Sequence, residues 1–120
     1  MAIEITGLNV NDGLALCGGD EGIYMNALRL YVSNIPSALE KMRNVSETTL
    51  QNYAVSVHGI KSTSEYIGAE EARSTAKQLE AMAKSGDLAG VQAKSDAFIQ
   101  YVEQLVDRIR GWLEKNNATG

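Results

Sequence analysis

From Leu28 to Leu113 the apolar residues return at alternating steps of three and four, a spacing that constrains the chain more than any other feature. Steps of three and four place residues on one face of a 3.6-residue helix, whereas a half-buried strand needs steps of two. Leu28, Val32, Ile35, Leu39 and Met42 form the first stripe, and Leu50, Tyr53, Val57, Ile60, Ser64 and Ile67 the second. Ala72, Ala76, Leu79 and Ala83 form a third, mostly of Ala, which implies close approach to a neighbour. Val91, Ser95, Phe98, Val102, Leu105, Ile109 and Trp112 form the fourth, widened by Ile99, Val106 and Leu113. Helices with one apolar stripe each, joined by short turns, bury those stripes best against one another. The predicted fold is therefore all-α, an antiparallel four-helix bundle.

The punctuation agrees with four long helices. Asp20 is a good N-cap and Glu21 suits a first turn. Pro36 predicts a kink or break near Asn34, with two helical pieces end to end. Ser46 is the expected N-cap of the next helix, Gly68 its terminator, and Gly86-Asp87 the turn before the last helix. Ahead of Asp20, Leu8, Val10, Leu14, Leu16 and Cys17 suggest a short accessory helix, capped by Asn11 or Asp12 and ended by Gly18-Gly19. The polar tail from Asn116 to Gly120 is expected to fray. At 120 residues the chain has material for one core, so residues 1–120 read as a single domain with an ordered core of about 7–114.

Composition removes several function classes. A net charge of -4 without a basic face or arm argues against nucleic acid. No apolar run approaches the ~20 residues that cross a bilayer, and Met1–Gly7 lacks the pattern of a signal peptide. The single cysteine, Cys17, can form neither an internal disulfide nor a zinc site and reads as a small buried residue. A cytoplasmic setting follows, and Met1 with the polar tail fits a free-standing protein. His58 with Glu65 would offer two poorly aligned ligands, so no metal site is expected. No Gly-rich loop followed by Lys-Ser/Thr occurs, so the chain is not expected to act as a kinase or other enzyme.

The one chemically pointed stretch surrounds the only histidine. His58 lies one residue, about 100° of rotation, beyond Val57, which puts the imidazole on the flank of the stripe and open to solvent. Ala54, Val55, Lys61 and Ser62 are its neighbours one turn away. Helical side chains lean toward the N-terminus, so Lys61 reaches back over His58. An amine there can neutralise a phosphoryl group on the ring and disfavours a second positive charge beside it. Read alone, Lys61 would be a flank residue pairing with Glu65. Ser62 is small enough for another protein's backbone to come close, or its hydroxyl bonds back to the carbonyl of His58. Gly59 lowers local helix propensity.

His58-Gly59-Ile60-Lys61-Ser62-Thr63-Ser64, followed by Ile67-Gly68-Ala69, resembles the signature of histidine-containing phosphotransfer (HPt) domains. Gly13 to Glu21, then Tyr24 and Leu28-Arg29-Leu30, resembles the opening of such domains, and Gly86-Asp87 the turn between their last two helices. The resemblance spans about Gly7 to Leu113. It implies a four-helix bundle in which His58 accepts a phosphoryl group from a receiver-domain aspartate, or a kinase, and passes it to another receiver. It also implies Lys61 and Ser62 as phosphate-stabilising residues. The docking surface would centre on Ala54, Val55, His58, Lys61, Ser62 and Glu65, with Leu14 of the N-terminal element completing it. Partners would be response-regulator receivers and a sensor or hybrid histidine kinase. No cofactor is implied, since Mg²⁺ is expected on the receiver only, and a carrier of this kind works as a monomer. Ser62 stands where the family often has Gly. The alternative function is an HPt-like binding module that sequesters a receiver without transfer.

Overall fold

The computed structural model describes residues 3–116. These form helices α1 (Val10–Leu16), α2 (Glu21–Met42), α3 (Leu50–Tyr66), α4 (Glu70–Lys84) and α5 (Leu88–Asn116). Helices α2 to α5 pack in a ring, each against the next and α5 back against α2, giving the antiparallel bundle; α1 sits on α2 and α3. Asn116, expected to fray, is the last residue of α5 and donates to the Trp112 carbonyl at 2.8 Å; the rest of that tail lies outside the described residues.

The apolar stripes meet in one core. Leu28, Ile35, Leu39 and Met42 of α2, Tyr53, Val57 and Ile60 of α3, Ala72, Ala76 and Leu79 of α4 and nine positions of α5 from Val91 to Leu113 are buried. Tyr24 and Tyr31 complete the α2 stripe, and Val32 lies only half-buried at its edge. Ser64 and Ser95, polar residues within apolar stripes, are explained by tyrosines. The Tyr31 hydroxyl and Ser64 Oγ are 2.9 Å apart, and Tyr53 donates to Ser95 Oγ at 3.0 Å. Tyr24 donates to the Ile67 carbonyl at 2.7 Å. Burial pushes the phenols of Tyr24 and Tyr31 up to about 12, so they stay neutral in the core.

Three local expectations are corrected. Helix α2 runs unbroken through Pro36. An interior proline costs about 3 kcal/mol. Continuing the helix buries Ile35, Leu39 and Met42, each contributing roughly 1.5–3 kcal/mol, so continuity wins. Ser46 does not cap α3. It opens a turn in which its amide donates to Thr49 Oγ1 at 2.8 Å, and the helix begins only at Leu50. Helix α1 is capped by Asn9, whose side chain accepts from the Asp12 amide at 3.1 Å, rather than by Asn11 or Asp12.

The N-terminal segment is structural from Ile3 onward, earlier than residue 7. Ile3 and Ile5 are buried, and Arg108 Nη1 donates to the Thr6 carbonyl at 2.6 Å. Two glycines allow this segment to lie close. A Cβ at Gly13 would strike the Tyr24 ring and come within 3.0 Å of the Ile67 backbone. Gly68, at φ +76°, ends α3 directly against the Asn9 backbone, and the Asn9 amide donates to its carbonyl at 2.7 Å.

Candidate functional site

The phase of α3 is set by Val57 and Ile60, both fully buried. One residue past Val57, His58 therefore points outward, its side chain 56% exposed. Helix α4 repeats the same arithmetic. Leu79 is fully buried, and Glu80, one residue past it, occupies the flank. Because α3 and α4 run antiparallel in direct contact, the two flank residues face each other. His58 Nδ1 and Glu80 Oε2 lie 2.6 Å apart, and Lys61 Nζ lies 2.5 Å from Glu80 Oε1. Lys84, one turn beyond Glu80, puts its Nζ 3.1 Å from Oε2.

Glu80 is only 4% exposed. Its partners His58 and Lys84 are each more than half exposed, so the carboxylate lies just beneath the molecular surface. Lys61 above all, against the opposing effect of desolvation and with help from Lys84 and His58, holds the carboxyl down at about 2. Near neutral pH Glu80 is therefore ionised and can only accept hydrogen bonds. The proton on the shared line to His58 must then reside on Nδ1, so that in the neutral imidazole the lone pair lies on Nε2. In that tautomer, on a side chain more than half exposed, Nε2 can attack an electrophile. One carboxylate against two ammonium groups also leaves the cluster net positive, suited to an incoming anion.

The opposite flank of α3 is apolar and open. Val55 is 73% exposed, and a Cβ at Gly59 would meet nothing within 4 Å. Leu16 of α1, Ile23 and Leu30 of α2 and Tyr66 of α3 are each more than half exposed, and all four line a cleft of about 360 Å³ together with Thr63. Four large apolar side chains left in water around one cleft are more than scattered surface exposure.

The residues singled out by sequence are distributed as follows. His58 and Lys61 are brought together, but through Glu80; the partner of Lys61 is Glu80 and not Glu65. Glu65 is exposed; the Arg73 guanidinium is held protonated chiefly by Glu70, with a smaller contribution from Glu65. Ser62 and Ala54 are half-buried. The hydroxyl that bonds back one turn belongs to Thr63, which donates to the Gly59 carbonyl at 2.9 Å, rather than to Ser62. Leu14 is half-buried beside the N-terminal segment, whereas the exposed apolar residue of α1 is Leu16. Cys17, expected in the core, is only partly covered and lines the cleft. Glu80 and Lys84 were not singled out at all. Their signal was present, a carboxylate one step past a core leucine with Lys at i+4, but that pattern ordinarily describes a solvated flank. Among the described residues no group of three or more His, Cys, Asp or Glu could hold a metal ion, and no helix is long and apolar enough to cross a membrane.

A family model described as "Hpt domain" matches residues 26–112. No curated protein and no solved structure matches the chain.

Proposed function

Because this chain belongs to the Hpt domain family, whose members serve phosphotransfer in two-component signalling, we propose that His58 accepts a phosphoryl group from a receiver-domain phosphoaspartate and returns it to another receiver. The observation that carries this reading is the hydrogen bond from His58 Nδ1 to ionised Glu80, which leaves Nε2 as the nucleophile. In the forward step the Nε2 lone pair forms the N–P bond while the P–O bond breaks, its electron pair staying on the receiver's aspartate. Nδ1 keeps its proton throughout, so the ring becomes positively charged, and Glu80 stabilises that charge as it develops. The phosphoryl group passes through a loose, in-line transition state, so positioning and electrostatics supply most of the catalysis. The receiver brings the Mg²⁺.

Lys61 contributes by fixing Glu80 and by adding positive charge beside the ring, and Ser62 leaves room for the receiver's backbone. Recognition falls to the apolar flank, through Leu16, Ile23, Leu30, Val55 and Tyr66. A module that only sequestered a receiver would need that flank but would have no use for the His58–Glu80–Lys61 arrangement. The test is incubation with receiver domains labelled by acetyl phosphate. Acid-labile phosphate should appear on the wild type and be absent from His58→Gln, with circular dichroism unchanged. No transfer to folded wild type from any receiver of the same genome would overturn the reading.

A further inference from the structure

Glu80 holds two lysines, and the two are not equivalent. Lys61 sits on Oε1 at 2.5 Å with its side chain 27% exposed. Lys84 sits on Oε2 at 3.1 Å with its side chain 66% exposed, and Oε2 is the oxygen that already accepts from His58 Nδ1 at 2.6 Å. Lys84 is thus the longest-held and most solvated donor on a carboxylate that keeps two shorter contacts without it. The ammonium end of this pair stands mostly in water while its carboxylate keeps Lys61 and His58, so little opposes exchange of Lys84 for a better partner. Such a partner arises when His58 is modified. A phosphoryl group on Nε2 carries close to two negative charges near neutral pH, on the same ring that Lys84 already adjoins across a single oxygen atom.

We propose that Lys84 is a second phosphoryl-binding residue. It rests on Glu80 in the unmodified protein and moves to the phosphoryl oxygens once the Nε2–P bond has formed. Lys61 stays on Oε1 and keeps Glu80, and through it the ring, in place. Lys61 therefore holds the carboxylate and adds fixed charge beside the ring, whereas Lys84 supplies the mobile charge that meets the phosphoryl oxygens. Releasing Lys84 also leaves Oε2 to His58 alone at the stage when the ring carries a positive charge. This assignment rests on His58 being the phosphoryl acceptor.

The test uses the full chain phosphorylated with phosphoramidate, whose P–N bond breaks as Nε2–P forms and ammonia leaves. The pH titration of the phosphohistidine is followed by ³¹P NMR, along with the lifetime of the label after the reagent is removed. A nearby cation favours the dianion, so Lys84→Ala should raise the phosphoryl midpoint by about half a pH unit or more, and Lys84→Arg should restore it. Before phosphorylation, Lys84→Ala should leave the imidazole ¹⁵N shifts at their wild-type tautomer pattern, whereas Lys61→Ala should disturb them. Labelled wild type and Lys84→Ala with the same midpoint and lifetime would overturn the role of Lys84 alone. Absence of label on wild-type His58, from phosphoramidate and receivers alike, would overturn this assignment together with the function on which it rests.

Discussion

The two flanks of α3 solve different problems. Toward α4 the surface is polar and every group is engaged: one ionised carboxylate, nearly covered, holds an imidazole and two ammonium groups. Toward α2 and α1 the large exposed side chains are mostly apolar, with Val55, Leu30, Ile23, Leu16 and Tyr66 left in water. His58 stands between them. Under the proposed function, reactivity and recognition are carried by opposite sides of one helix. A substitution on one side should then change rate while a substitution on the other changes affinity.

The largest effect should follow from Glu80→Gln, which keeps the shape but removes the charge. Carboxylates that orient metal-bound histidines are worth roughly 10–100-fold, and by the same orienting role the single-turnover transfer rate from a saturating receiver should fall by about that factor. An unchanged rate would mean that the ring needs no carboxylate. Next come Leu30→Glu and Val55→Glu on the apolar flank. Each should weaken receiver binding about tenfold, or 1.4 kcal/mol, with the saturated transfer rate preserved and stability altered by less than about 0.5 kcal/mol. Isothermal titration paired with rapid-quench kinetics separates the two effects. If the rate falls instead of the affinity, the division between flanks is wrong.

Acid supplies a subtler test. The carboxyl of Glu80 lies at about 2 in the folded chain against an ordinary 4.5, so the unfolded chain takes up its proton first. The stability contributed by Glu80 is therefore complete above pH 4.5 and is lost as pH falls toward 2. Urea midpoints measured across that window should drop less steeply for Glu80→Gln than for the wild type. The smallest effect belongs to Gly59→Ala. Its Cβ meets nothing within the chain, so helix propensity should raise stability by about 0.5–1 kcal/mol. If a receiver approaches over Gly59, binding should weaken while stability rises, and the melting temperature and receiver affinity would move in opposite directions.

Much of this was legible in the residues themselves. The stripes located four helices, and Gly68 and Gly86 ended two of them where expected. Local rules failed where a neighbour had more to offer. Pro36 did not break α2, because the helix gains more by burying Ile35, Leu39 and Met42 than the proline costs. Ser46 lost its capping role to a turn built with Thr49. Ile3 and Ile5 lie in a segment without helical period, and only the finished bundle supplied the surface that buries them.

The sequence by itself determined the helices, the position of His58 beside its stripe and its likeness to a phosphotransfer signature, because each depends on spacing within one element. It could not supply the partner of Lys61, the charge beneath the ring or the nitrogen left free. Those depend on the rotation and register of α4 against α3, which set Glu80 opposite His58 across 22 residues of chain. Side-chain volumes packed in the core decide that register, and no local pattern records it. The same packing decided which flank of α3 stayed bare.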